Sequence, residues 1–324
     1  EKAGISERLI HLADTCVGHV KGGLAIVCVV VACFFAAISG SGPATVAALG
    51  LVLIPGMIKS GYNAPFSAAL MGCAGAIGVI IPPSITFVVY GSIADTSIGD
   101  LFKAGVIPGL IMGAALIITA LLVGRKMDLT TKEKASGAER WKAFKDAFWG
   151  LLMPIIILGG IYGGIFTPTE CAAVGVVYCL IVGKFVYKNL DMKKFTDALF
   201  EAAITSATVM ILFGSANVLG RLLTIGKISA TMQTVLTTIS DNRFVIMLMI
   251  NGMLLIIGMF LDTISSILIF APVFAPIMSA LGYDMAYFGV IMVVNLCIGM
   301  ITPPMAANFY IGQRLAGATF EGML

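Results

Sequence analysis

The sequence predicts an all-α, polytopic membrane protein with inverted repeats, two re-entrant hairpins and two broken transmembrane helices. Three observations predict it. The 324-residue chain is 59% hydrophobic and 11% charged, with a mean hydropathy of +1.03, whereas soluble domains carry about 25% charged residues. Uncharged runs such as Val106–Val123 and Phe244–Leu261 are long enough to cross a hydrocarbon core of about 30 Å at 1.5 Å per residue. The third observation is that the chain repeats itself. The net charge of +3 gives no reason to expect nucleic acid.

Residues 1–21 interleave Leu9, Ile10, Leu12 and Val17 with Glu7, Arg8, His11, Asp14 and His19. That pattern predicts an amphipathic arm lying against membrane lipid. Residues 22–60 form a hairpin, because two apolar runs flank 39-SGSGPAT-45, whose Ser, Gly and Pro are poor helix formers. Residues 64–94 form a long helix broken at 80-IIPPS-84, and together 22–98 make the first repeat. Residues 99–219 supply scaffold-type spans near 102–124, 149–166, 169–187 and 198–217. A second arm follows at 220–242. The second repeat, 243–324, has a hairpin at 243–281 with the tip 261-LDTISS-266. Its broken helix covers 285–316, interrupted at 301-ITPPM-305.

Sliding the first repeat by 221 residues without gaps superposes Pro82-Pro83 on Pro303-Pro304, Gly61-Tyr62 on Gly282-Tyr283 and Pro55 on Pro276. It also pairs Val52, Met57, Met71, Ile77, Gly78, Ile80 and Gly91 with Val273, Met278, Met292, Ile298, Gly299, Ile301 and Gly312. Twelve of the forty positions from Val52 to Gly91 are therefore identical. Chance in an apolar-biased chain gives about four, so the repeat is genuine. Five spans separate the two hairpins, and an odd number places them on opposite faces: the repeats are inverted. The loop around 125–146 holds Arg125, Lys126, Lys132, Lys134, Arg140, Lys142 and Lys145, and 184–197 holds Lys184, Lys188, Lys193 and Lys194. These loops lie on the face of the first hairpin, which is then cytoplasmic. By the same comparison of repeats, about three spans are expected before Glu1 and one after Leu324.

Helix breaks at membrane depth need satisfaction from protein or a watery cavity. Proline frees a carbonyl one turn earlier, and glycine lets backbone come close. Freed carbonyls with Ser and Thr hydroxyls are hard oxygen donors suited to Na⁺, and helix N-termini at the tips favour an anion. The alternative is tight packing and simple kinks. Asp262 reads as a cation ligand or as an N-cap for the helix starting near Thr263, and the two roles are compatible. Arg314 could meet an anion but fits snorkelling to the interface better. Asn217 and Asn308 fit helix–helix hydrogen bonds. The seven cysteines are scattered without metal spacing and read as packing residues. Neither HExxH, nor paired aspartates, nor a Ser/His set sits within a span, so an enzyme is not expected.

SGSGPAT, the IPPS break leading into YGSIADTSIGDLFKAGVIPG, and the ITPP break resemble the large membrane subunit of TRAP (tripartite ATP-independent periplasmic) transporters along nearly the whole chain. The resemblance implies an elevator-type transporter of the bacterial inner membrane. It implies Na⁺ coupling, a small four-helix membrane subunit, fused upstream in some relatives, and a periplasmic substrate-binding protein. The implied substrate is a small organic anion of the sialic acid or C4-dicarboxylate type. One Na⁺ would lie among Ser39, Gly40, Ser41 and Thr45 of the tip and Gly78 and Ile81 of the break. The other would lie among Asp262, Thr263, Ser265, Ser266, Gly299 and Thr302. Substrate would contact Ser41, Gly42, Pro43, Pro82, Thr263 and Pro303. The stretch 308-NFYIGQR-314 departs from the familiar pattern, and a stand-alone Na⁺- or H⁺-coupled dicarboxylate or gluconate permease is the other transporter reading.

Overall fold

In a computed structural model of the chain, residues 4–131 and 133–323 are described. Lys132 of the cationic loop, the first three residues of the arm and Leu324 lie outside them. The described residues are helical and contain no strand. In chain order they form α1 (Ile5–Val17), α2 (Gly23–Ser39), α3 (Gly42–Lys59) and α4 (Ala64–Ala76), which tightens into a 3₁₀ turn at Ile77–Val79. Then come α5 (Ile85–Ile93), α6 (Ile98–Gly124), α7 (Gly137–Tyr162) and α8 (Pro168–Ile181), which ends in a π turn at Val182–Val186. The rest is α9 (Met192–Ile225), α10 (Ile228–Ile239), α11 (Arg243–Phe260), α12 (Thr263–Ala280), α13 (Met285–Gly299), α14 (Ala307–Ala316) and α15 (Phe320–Met323).

Side-chain caps explain where several helices begin. Asn63 accepts the Phe66 N–H, Asn242 that of Phe244 and Asp284 that of Tyr287, each within 2.9 Å. Reciprocal Ser136–Glu139 and Thr167–Glu170 capping boxes open α7 and α8. The first of these moves a boundary. Hydropathy starts a span near residue 149, but the capping box starts the helix at Gly137, so Arg140, Lys142 and Lys145 are helical rather than loop. A second boundary also differs. The arm expected over 220–242 is the shorter α10, because Arg221–Ile225 continue α9. The chain turns at Gly226–Lys227, where Lys227 takes a left-handed φ of 52°.

Among the described residues seven helices are long and apolar enough to cross a membrane: α3, α6, α7, α8 with its π turn, α9, α11 and α12. At 34 residues α9 is about 51 Å long, longer than a hydrocarbon core. None of its most apolar window is buried, and burial is likewise sparse along α6, α7 and α8.

The chain divides into two compact units, and these cut across the sequence repeats. The described residues of the first run 4–84, 106–198 and 307–323; the second holds 85–105 and 199–306. The chain changes unit at each break, between Ser84 and Ile85 and between Ala306 and Ala307. Each unit therefore contains one hairpin, the first half of its own broken helix and the second half of the other.

In the first unit α14 packs on α3 and α4. A Cβ added to Gly72 would meet the Phe309 ring at 2.6 Å, and one on Gly312 would meet the Ala68 carbonyl at 2.8 Å. The Asn308 amide donates to the Gly72 carbonyl at 3.1 Å, the helix–helix role expected for it. In the second unit α5 packs on α12 and α13. Gly289 admits the Tyr90 ring, which a Cβ would meet at 2.4 Å, and the Tyr90 hydroxyl donates to the Met285 carbonyl at 3.0 Å. In both units a glycine on the resident half-helix makes room for an aromatic ring from the incoming half. One side-chain hydrogen bond to the resident backbone then fixes it.

Candidate functional site

The first tip is a two-residue turn. Gly40, at φ 62°, ends α2 and donates its N–H to the Ala36 carbonyl at 2.9 Å. Ser41 is extended and precedes α3, with Pro43 in the first turn. The Ser41 carbonyl gathers three donors: the Thr45 N–H at 3.1 Å, the Thr45 hydroxyl at 2.7 Å and, at the limit of reach, the Ser39 hydroxyl at 3.5 Å. Thr45 is wholly buried. The 3₁₀ turn lies directly against this carbonyl. A Cβ on Gly78 would come within 3.0 Å of Thr45 Oγ1 and 3.3 Å of the Ser41 oxygen, so glycine is what lets the break close on the tip. Tip and break residues Ser41, Thr45 and Gly78 are thus neighbours. Ile81 is half-buried, and Gly109 of α6 admits its side chain. Pro82 is buried, the Pro82-Pro83 bond is cis, and the Ser84 hydroxyl closes the break on the Val79 carbonyl at 2.6 Å.

The 221-residue offset carries Ser41 onto Asp262 and Thr45 onto Ser266. Backbone geometry repeats with it. The Ser266 N–H donates to the Asp262 carbonyl at 2.9 Å, as Thr45 does to Ser41, and Ile301 N–H to Ile298 repeats Ile80 to Ile77. Side chains do not repeat. The exposed Asp262 carboxylate accepts the N–H groups of Ile264 (2.8 Å) and Ser265 (3.3 Å) and the Ser265 hydroxyl. It caps α12, which is the second of its two expected readings. Thr263 and Ser266, 3% and 0% exposed, have hydroxyls without a hydrogen-bond partner among the described residues. Gly299 sits against the backbone of Gly258, whose carbonyl a Cβ would meet at 2.3 Å. The Thr302 hydroxyl bonds back to the Ile298 carbonyl at 2.7 Å, and the Met305 N–H reaches the Met259 carbonyl at 3.0 Å. Pro303-Pro304 is cis, like its counterpart.

Among the described residues no three His, Cys, Asp or Glu side chains converge. The donors on offer are hydroxyls, backbone carbonyls and the one carboxylate of Asp262, a set suited to a hard monovalent cation. Unpartnered hydroxyls in a dry site cost about 1–3 kcal/mol each, and a cation would relieve that cost.

Along residues 1–324 the chain matches the family described as Tripartite ATP-independent periplasmic transporter, DctM component. The chain belongs to the DctM family. This DctM chain is 44% identical over 319 residues to the isethionate TRAP transporter permease protein DctMQ of Oleidesulfovibrio alaskensis, covering 98% of this chain and 50% of that one. It is 42% identical over 314 residues to the C4-dicarboxylate TRAP transporter large permease protein DctM of Pseudomonas aeruginosa, covering 97% and 74%. Against the sialic acid TRAP transporter large permease protein SiaM of Vibrio cholerae it is 38% identical over 319 residues, covering 98% and 75%. The chain thus spans half the length of the first of these relatives and about three quarters of the other two. All three are named as TRAP transporter permease proteins. With seven membrane-length apolar helices, this DctM chain is a multi-pass membrane protein.

Two polar features of this DctM chain were not anticipated from its sequence. Asn295, 8% exposed, donates to the side-chain oxygen of Asn251 and to the Ile291 carbonyl (2.8 Å), while Asn251 donates to Met247 (2.9 Å). This pair joins α11 to α13. The signal was available: asparagines within apolar runs at positions where the first repeat has Val30 and Ala74. The second feature is Arg221, a cation near the end of the longest apolar helix. Asn217, expected to bridge helices, instead bonds the Phe213 carbonyl of its own helix at 3.0 Å.

Proposed function

We propose that this DctM chain is the translocating part of a Na⁺-driven importer of a small organic anion in the bacterial inner membrane. The observation that carries the reading is the pair of buried, unpartnered hydroxyls of Thr263 and Ser266. One Na⁺ is held by Asp262, Thr263, Ser265, Ser266, Gly299 and Thr302. A second is held by Ser39, Gly40, Ser41, Thr45, Gly78 and Ile81, where Gly78 brings backbone against the Ser41 carbonyl. The anion is met by Ser41, Gly42, Pro43 and Pro82 at one tip and by Thr263 and Pro303 at the other. Ser41 makes no side-chain cap, which leaves the α3 N-terminus available to negative charge. The hairpins act as re-entrant elements of an elevator, working with a small four-helix membrane subunit and a periplasmic binding protein. Names of the relatives support an organic acid: isethionate, C4-dicarboxylate and sialic acid.

The test is uptake into proteoliposomes holding the full-length protein with both partners. Labelled isethionate, succinate and sialic acid are offered with an inward Na⁺ or K⁺ gradient. Uptake of one acid is expected with Na⁺ alone, and Ser266→Ala should raise the Na⁺ concentration that uptake needs. Equal uptake with K⁺ refutes the reading.

A further inference from the structure

A cavity of about 620 Å³ opens in the second unit between α9, the end of α5 and the middle of α12. Asn217, Arg221 and Thr224 line it from α9, and their spacing of four and three residues puts them on one helix face. Ser92 lines it from α5, and Leu268 and Pro272 from α12. Among the described residues Arg221 is the only charged one that lines it. Among the described residues Arg221 has no ion pair, and its helix is otherwise apolar enough to span a membrane. Arg221 is exposed on the cavity wall near the end of α9, where the cavity brings polar groups beside it and no counter-charge. The hydroxyls of Ser92 and Thr224 already donate to carbonyls of their own helices, Val88 and Gly220, both at 2.8 Å. Thr224 and Ser92 therefore offer polarity without negative charge. The opposite wall also has a reason to be open. Pro272 removes the N–H that would serve the Leu268 carbonyl, and Pro276 does the same for Pro272, whose carbonyl accepts the Ser229 hydroxyl at 3.3 Å instead. That bond from α10 pins the wall.

We infer that this cavity is an anion-binding site in which Arg221 receives one carboxylate, sulfonate or phosphate group, with Asn217 beside it. The anionic group comes either from a water-soluble organic acid or from a phospholipid headgroup. The first source rests on the proposed transport of organic acids; the second does not.

The test uses the full-length protein with its cysteines replaced and one reporter introduced by Ser92→Cys, in nanodiscs of phosphatidylcholine. The rate of labelling by a sulfonate-bearing methanethiosulfonate is compared with that by its trimethylammonium analogue. A cationic cavity should favour the sulfonate reagent about tenfold. Arg221→Gln should erase that preference and Arg221→Lys should keep most of it. Slowing of the label by millimolar succinate or isethionate identifies a soluble acid; slowing only when phosphatidylglycerol replaces part of the phosphatidylcholine identifies a lipid. If no anion slows labelling, or if Arg221→Gln labels like the parent, the inference is wrong. Because labelling needs no transport, absence of Na⁺-driven uptake with the labelling pattern intact would refute the transport reading alone.

Discussion

At the first tip the Thr45 hydroxyl is committed to the Ser41 carbonyl at 2.7 Å, whereas at the second tip Ser266, the same position one repeat later, has a buried hydroxyl with no partner. The flanking glycines differ in the same sense. Gly78 rests against the tip, where its nearest neighbour is a hydroxyl oxygen, and Gly299 rests against the backbone of Gly258. The first repeat is closed on itself. The second is tied by its helices and left unsatisfied at its tip, and an unsatisfied site gains most from a ligand. One repeated backbone geometry thus leaves its two tips differently satisfied.

The sharpest way to break this comparison is to add one methyl group at the matched glycines. Gly299→Ala places a Cβ 2.3 Å from a neighbouring backbone, which cannot step aside as a side chain can. A loss of about 3 kcal/mol is expected, read as a lower unfolding midpoint or lost folded yield in detergent. Gly78→Ala meets Thr45 Oγ1 at 3.0 Å and should cost about 1 kcal/mol. Equal losses would erase the asymmetry.

The Asn251–Asn295 pair comes next. Asn295→Ala strands the Asn251 oxygen and should cost about 2 kcal/mol. Adding Asn251→Val, so that both positions match Val30 and Ala74 of the first repeat, should recover about half. A double variant less stable than the single would show that the pair is not what ties α11 to α13.

The tips themselves separate in Na⁺-free buffer. Thr45→Val breaks a made hydrogen bond and should cost about 1 kcal/mol, while Ser266→Ala removes an orphan and should leave the midpoint unchanged or raised. On adding Na⁺ the parent should gain stability and Ser266→Ala should gain less, by the share of the site at the second tip. Smallest of all is Asp262→Asn without Na⁺. Asparagine still caps α12, so stability should fall by no more than about 0.5 kcal/mol.

Much of the helical layout is legible in the sequence because it is written in local chemistry. Both breaks fall at the paired prolines and both tips at the polar interruptions, since proline removes donors and Ser and Asp start helices. Boundaries moved where polar residues continue a helix. Hydropathy cannot see the Ser136–Glu139 box ahead of α7, nor that Arg221 stays in α9. Among the candidate site residues, Ser41, Thr45 and Gly78 lie together. Asp262 could be read two ways from the sequence, and the structure gives its carboxylate to a helix cap. Arg221 lacks a short motif; its meaning depends on a cavity walled by residues more than 40 and more than 110 positions away.

The amino-acid order alone determined that this chain is helical and membrane-embedded, where it unwinds, and that it contains one pattern twice, because hydropathy and proline act within a few residues. Only the tertiary structure decided that the halves of each broken helix belong to different compact units. α5 is strongly apolar, whereas α14 buries Asn308 and Gly312 beside its one buried ring. What seats them is shape, Tyr90 over Gly289 and Phe309 over Gly72, and such complementarity exists only once distant helices have met.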